Sequence, residues 1–286
     1  MRSENEDKAC IEFCITSNWV CCFALHKNSG IIPEFSPNGS LVTQTIANLT
    51  NQQVIKTPVV FFPGTLCDER VFMPCWKELN LAERAFSPIQ WADSLAQMLA
   101  LSLDRLAYYE EAVHLVGFSM GGYIAALTAL EKPEKIASLT LIGFYSGGLS
   151  NEELQQRKQI LLSIKKGNYQ GMSKHRIKSF LHSANSDNQL VIDTIKQMEA
   201  DLGGSVLAAQ INATANRQVL TNKLAQCKFP IRMVAGEQDN IASVQKLQQM
   251  QLQIPGSELR VITNAGHLLP LEQPALLGQY LQQKLA

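Results

Sequence analysis

From Thr57 onward the apolar positions of this chain fall into short continuous runs separated by longer segments with helical spacing. Val59-Val60-Phe61-Phe62, halted by Pro63-Gly64, is β-branched and aromatic and predicts a buried strand. Trp91 to Leu106 carries apolar residues at helical spacing, with Asp93 or Ser94 near its start, and predicts a helix. Val113–Val116 predicts a second buried strand, Tyr123–Leu130 a helix, and Ser138–Ile142 a third strand within Ile136–Phe144. The grammar returns near the carboxyl end, with strands at Ile231–Ala235 and Leu259–Ile262 and helices at Val244–Leu252 and Pro274–Leu285. Strands alternating with helices predict a mostly parallel sheet flanked by helices on both faces, an α/β architecture. In such a sheet, function collects at the carboxyl ends of the strands.

Between Gly147 and about Cys227 no β-rich run occurs. That stretch reads as short helices around Leu154–Ile164, Ser173–Phe180, Leu190–Met198 and Val206–Thr214, punctuated by Gly167, Gly171 and Gly203-Gly204. A helical block spliced between two strands of a parallel sheet predicts a lid. The chain therefore divides into a poorly specified N-terminal extension (1–56), a first core part (57–147), a helical lid (148–226) and a second core part (227–286). Within the extension, Phe13 to Leu25 is free of charge, yet Asn, Thr and Ser interrupt it and Glu4, Glu6 and Asp7 oppose a signal-peptide reading. No apolar run reaches the roughly 18 residues that a membrane helix needs, so no membrane partner is expected.

Hydrophobic residues make up 46% of the chain and charged residues 17%, which suits a globular core. Lys plus Arg is 25 and Asp plus Glu is 25, so the basic footprint of a nucleic-acid binder is missing. Lys165-Lys166 and Lys174-His175-Arg176 read as solvated helix faces. Seven cysteines without regular spacing argue against a disulfide framework and suit a reducing cytoplasm. Neither Cys10 and Cys14 nor Cys21-Cys22 forms a CxxC pair, and no matching histidines complete a zinc site, so no metal is expected.

Chemistry concentrates in Gly117-Phe118-Ser119-Met120-Gly121, which lies between a predicted strand and a predicted helix. This G-x-S-x-G spacing in that context is a nucleophile elbow: a tight turn lifts the serine hydroxyl clear of the sheet, and the glycines remove Cβ atoms that would collide. A serine nucleophile requires a base. Of the five histidines, His114 lies inside a strand, His26 in the extension, and His175 and His182 in the helical block. His267, in the loop after the last strand, stands at the sheet's carboxyl edge where a base belongs. Asp239 follows the preceding strand and completes the chain order Ser, Asp, His, with Glu237 as the rival carboxylate. The oxyanion donors expected are the amides of Met120, after the nucleophile, and Thr65, in the loop after the first strand, with Leu66 second to Thr65.

From about Val59 to its end the chain resembles the α/β-hydrolase superfamily, in the style of small bacterial carboxylesterases and pimeloyl-carrier-protein methyl esterases. The segments that carry the resemblance are PGTLCDERVF at 63–72, GFSMGG at 117–122, GEQD at 236–239 and NAGHLLPLEQP at 264–274. One departure is Pro63, where many relatives place a histidine that is not a triad member. The resemblance implies an α/β-hydrolase fold with an inserted helical lid, Ser119 as nucleophile, Asp239 as acid and His267 as base. It also implies hydrolysis of a small ester-like substrate without a cofactor. The same scaffold hosts triad-bearing lyases and synthases, perhydrolases and slow-turnover small-molecule receptors, and residue spacing does not separate them.

Overall fold

The β-branched and aromatic runs assemble into one six-stranded sheet. Its strands are β1 (Val59–Phe62), β2 (Arg84–Phe86), β3 (Val113–Phe118), β4 (Ile136–Ile142), β5 (Ile231–Gly236) and β6 (Glu258–Ile262). They lie in the order β2-β1-β3-β4-β5-β6, and every neighbouring pair is parallel. This computed structural model describes residues 52–286 and, separately, a two-residue antiparallel ladder of Ile15–Thr16 against Trp19–Val20. The rest of the extension, including its uncharged run, His26 and Cys10, Cys14, Cys21 and Cys22, lies outside the described residues.

Two hydrophobic clusters explain why the strands read as unbroken apolar runs rather than alternating ones. Along β1, Val60 and Phe62 join one cluster while Val59 and Phe61 join the other. The helices that follow are α1 (Leu95–Ala107), α2 (Met120–Glu131), α3 (Asn151–Lys165), α4 (Gln189–Ala213), α5 (Val244–Gln253) and α6 (Pro274–Leu285). The first cluster is closed by Met98 of α1, Ile124 of α2 and Leu247 of α5, and the second by Leu277 and Leu281 of α6. Each large side chain so buried contributes about 1.5–3 kcal/mol. Because all six strands run one way, all their carboxyl ends meet at a single edge. The order reverses between β1 and β3, so the loops leaving those two strands part and open a crevice.

Several boundaries differ from the sequence reading, each for a local reason. The compact unit begins at Gln52, not Thr57. Ile55 is fully buried and bridges Leu81, while Gln282 Nε2 donates to the Gln53 carbonyl at 2.6 Å. Helix α1 starts at Leu95, where the Ser94 hydroxyl accepts the Gln97 N–H, and Trp91 sits exposed in a one-turn 3-10 segment before it. Strand β2 leaves no signal in the sequence, because three residues, of which only Ala85 is buried, cannot display a period; pairing with β1 creates it. Between β4 and β5 the chain is helical, as expected, with α3, Lys174–Lys178, α4 and Thr221–Leu224. Helix α4 covers two of the expected segments, and Gly203 (φ 77°, ψ 175°) leaves helical geometry between them. No helix among the described residues is long and apolar enough to cross a membrane.

Helix α2 approaches the end of β1 closely because it presents glycine there. A Cβ on Gly121 would run into the carbonyl oxygens of Phe62 and Pro63. Backbone cannot yield as a flexible side chain would, and α2 is held from behind by buried Ile124, Ala125 and Ala126. Gly121→Ala is therefore expected to lower unfolding stability by about 3 kcal/mol or more. A urea midpoint indistinguishable from the parent chain would show that this contact does not constrain the fold.

Candidate active site

Strand β3 ends at Phe118, and the next residue, Ser119, adopts φ 52° and ψ −112° before α2 begins at Met120. A non-glycine residue in that region is strained by roughly 1–3 kcal/mol and persists only when its surroundings over-determine it. Here they do. The Ser119 N–H donates to the Ile142 carbonyl of β4 at 2.8 Å, and the Ser119 carbonyl accepts from Gly122 and Tyr123. A Cβ on Gly117 would stand 2.5 Å from the Gly121 oxygen, so the turn cannot form with a side chain there.

Asp239 follows β5 in a turn closed by its own N–H donating to the Gly236 carbonyl at 3.1 Å. Its carboxylate is divided in use: Oδ1 accepts the amides of Ile241 (2.8 Å) and Ala242 (2.9 Å), and Oδ2 faces His267 Nδ1 at 2.9 Å. Burial, the largest single influence, pushes this carboxyl up, but the His267 charge and hydrogen bond and the two amides together hold it below its ordinary value. On the other side of the ring, His267 Nε2 lies 3.0 Å from Ser119 Oγ. A proton on Nδ1 satisfies Asp239 and leaves the Nε2 lone pair for the serine hydroxyl. Thus Ser119, His267 and Asp239 form one continuous hydrogen-bonded chain. Glu237, the rival acid, is exposed and instead accepts the Asn264 N–H at 3.0 Å. The other described histidines stand elsewhere: His114 Nδ1 pairs with Ser138 Oγ at 2.7 Å, His182 Nδ1 accepts the Ala184 N–H, and His175 is exposed.

Sequence reasoning passed over the residues that hold the histidine loop. The His267 N–H donates to the Phe180 carbonyl at 2.7 Å, and the neighbouring Gly266 N–H donates to Glu272 Oε1 at 2.9 Å. Glu272 is buried and its Oε2 also accepts from the His182 N–H (2.7 Å) and Asn185 Nδ2 (3.1 Å). Burial pushes its carboxyl above the ordinary range despite these donors. The available signal was a lone acidic residue inside the otherwise apolar Leu268-Leu269-Pro270-Leu271 neighbourhood.

The loop after β1 brings its two candidate donors to different ends. Leu66, at φ 51°, donates its N–H to Gln210 Oε1 of α4 at 2.9 Å, so that amide is occupied. Thr65 lines the cavity that also exposes Ser119 and His267, and among the described residues its amide has no hydrogen-bond acceptor. Met120 is the first residue of α2, so its amide has no intrahelical acceptor either. The cavity measures about 610 Å³ and is walled largely by apolar side chains of the helical block, among them Ile160, Met172, Met198, Leu207 and Ile211. The cavity thus exposes the Ser119 hydroxyl with the His267 imidazole hydrogen-bonded to it.

Comparison with known proteins agrees with this architecture. The family described as alpha/beta hydrolase fold matches residues 87–274. A Bacillus subtilis protein provisionally named 2-succinyl-6-hydroxy-2,4-cyclohexadiene-1-carboxylate synthase is 23% identical over 202 residues, covering 65% of this chain and 70% of that protein. A 2-hydroxy-6-oxononadienedioate/2-hydroxy-6-oxononatrienedioate hydrolase of Paraburkholderia phymatum is 26% identical over 200 residues, 66% of this chain and 67% of that protein. Among solved structures, a thermophilic esterase from Thermogutta terrifontis superposes with a TM-score of 0.66 at 23% identity, covering 80% of this chain and 89% of that one.

Gln210 is fully buried, and its side-chain oxygen is the acceptor that keeps Leu66 in its left-handed conformation. Gln210→Met preserves the volume but leaves the Leu66 N–H without a partner, which is expected to cost about 1–3 kcal/mol. Freed of that anchor, the Thr65 amide should be less well placed, and a fluorophosphonate should label Ser119 more slowly. Unchanged labelling at an unchanged melting temperature would show that Gln210 does not hold this loop.

Proposed function

The chain belongs to the α/β-hydrolase family, and from that premise we propose that it is a serine hydrolase cleaving a small carboxylic ester or thioester through an acyl-enzyme. The observation that carries this reading is the hydrogen-bonded chain from Ser119 Oγ through His267 to Asp239, with links of 3.0 and 2.9 Å, beside an apolar cavity of about 610 Å³. Ser119 Oγ attacks the substrate carbonyl as its proton passes to His267 Nε2. Asp239 stabilises the imidazolium and keeps its orientation without itself taking the proton. Negative charge on the carbonyl oxygen is received by the amides of Met120 and Thr65. Collapse of that intermediate expels the alcohol or thiol, which takes the proton from His267 and leaves an acyl group on Ser119. Water, deprotonated by His267, then releases the acid and restores the hydroxyl. None of these steps requires a metal or an organic cofactor.

In this reading the helical block, residues 148–226, is a lid that selects the group bound beside Ser119. Its apolar side chains in the cavity wall support that role. The free thiols of Cys67, Cys75 and Cys227 support a reducing, cytoplasmic setting. A second reading, a triad-bearing lyase or synthase, draws support from the synthase name carried by the Bacillus subtilis relative. Turnover of short acyl esters separates the two.

Ser119→Ala is expected to fold and to lose roughly three to six powers of ten in ester turnover. Asp239→Asn should lose about four, because the histidine then favours the wrong tautomer. Glu237→Gln should stay close to the parent, since that carboxylate faces Asn264. Measured side by side, with folding followed by circular dichroism, an active Asp239→Asn beside a dead Glu237→Gln would overturn the choice of acid. An active Ser119→Ala would overturn the reading as a whole.

A further inference from the structure

The cavity beside Ser119 is apolar over most of its wall, yet Arg157 of α3 and Arg176 also line it. Arg157 is half-buried, and among the described residues no carboxylate approaches its guanidinium within ion-pair distance. Its recorded partner is neutral: Nη1 donates to Thr214 Oγ1 at 3.0 Å, and that hydroxyl donates onward to the Gln210 carbonyl at 2.7 Å. A second guanidinium, that of Arg217, lies over the Tyr123 ring at 5.2 Å, and its Nε is buried without a partner. Burial and the neighbouring Arg157 charge bring the Arg217 pKa down to about 10, and burial also lowers that of Arg157. Arg176 stacks on the Phe180 ring at 4.5 Å and likewise has no carboxylate partner.

One acid, Glu153, acts as a favourable charge on both Arg157 and Arg217 but forms an ion pair with neither. Glu153 lines the cavity, but its Oε2 accepts the Ser150 N–H at 2.9 Å in the capping box of α3. Glu199 accepts the Tyr169 hydroxyl at 2.5 Å and the Met172 N–H at 2.9 Å. Mutually repelling guanidiniums withdrawn from water destabilise a fold unless an anion joins them. A planar guanidinium with most of its donors unused is shaped to receive a carboxylate.

We propose that Arg157 and Arg176, which line the same cavity, form an anion subsite. The substrate would then be an ester or thioester that carries a carboxylate away from its scissile bond. This deepens the hydrolase reading and rests on it for the word substrate, but not for binding. The apolar wall accommodates the spacer between the two ends, and the arginines hold the charged one.

The test pairs two esters of matched length, p-nitrophenyl hemiglutarate and p-nitrophenyl pentanoate, which differ in a terminal carboxylate. The parent enzyme should prefer the hemiglutarate in kcat/KM, and Arg157→Gln should shrink that ratio about tenfold or more, mainly through KM. Arg157→Lys, which keeps the charge but not the fork, should retain part of the preference, and Arg176→Gln provides a second variant if Arg157→Gln does not fold. Glutarate binding to Ser119→Ala, measured by calorimetry in the presence and absence of the Arg157→Gln change, reports the subsite without turnover. If neither ester is cleaved but glutarate binds through Arg157, the hydrolase reading fails and the subsite stands. No preference for the hemiglutarate, a ratio indifferent to Arg157, or no binding of glutarate would overturn the subsite.

Discussion

The close approach of α2 to the carboxyl ends of β1 and β3 governs everything else in this molecule. Gly117 and Gly121 remove the two Cβ atoms that would keep helix and strand apart, and the chain then turns so sharply that Ser119 is driven to φ 52°. Such a residue is stable only because its N–H continues the sheet ladder to Ile142 and its carbonyl starts the helix. The result is a hydroxyl raised above the sheet edge, beside the first free amide of α2. In a parallel sheet the loops after β5 and β6 reach the same edge, which is how Asp239 and His267 meet it from 120 and 148 residues away in the chain, respectively.

The helical block is tied to the site by backbone as well as by packing. The Phe180 carbonyl receives the His267 N–H, Glu272 joins Gly266 to His182 and Asn185, and Gln210 of α4 holds Leu66 beside Thr65. The block therefore touches both the His267 loop and the Thr65–Leu66 loop, not only the cavity wall. A shift of α4 or of the 180–185 segment would disturb both sides of the serine at once.

Two buried carboxyls near the histidine loop illustrate how environment assigns state. Asp239 and Glu272 are both deeply buried, and in each burial is the largest influence and favours the neutral form. For Asp239, the charge on His267 adds to three hydrogen bonds, from His267, Ala242 and Ile241, and reverses the sign, so it stays ionised and orients the ring. Glu272 has backbone and amide donors but only His182 as a charge, with no side-chain hydrogen bond from it, and burial prevails. Arg157 and Arg176 in the cavity wall pose the opposite case, charges that form no ion pair among the described residues.

Taken alone, the sequence determined the features that depend on local chemistry. Continuous apolar runs specified strands covered on both faces. G-x-S-x-G between a strand and a helix specified the elbow, and the order of Ser119, Asp239 and His267 along the chain specified which loops to examine. These signals are legible because each arises within a few residues of backbone: a period, a turn that needs glycine, a residue just past a strand end. Tertiary structure decided whatever depends on contacts between distant segments. It made Arg84–Phe86 a strand by pairing it with β1, drew Ile55 into the core, and turned Glu237 toward Asn264 while Asp239 faced His267. It also occupied the Leu66 amide with a side chain 144 residues away, leaving Thr65 as the open donor, and put Arg157 on the cavity wall with no ion pair among the described residues. No spacing rule records such meetings, because hydrogen-bond and charge partners are chosen by where the packed elements come to rest.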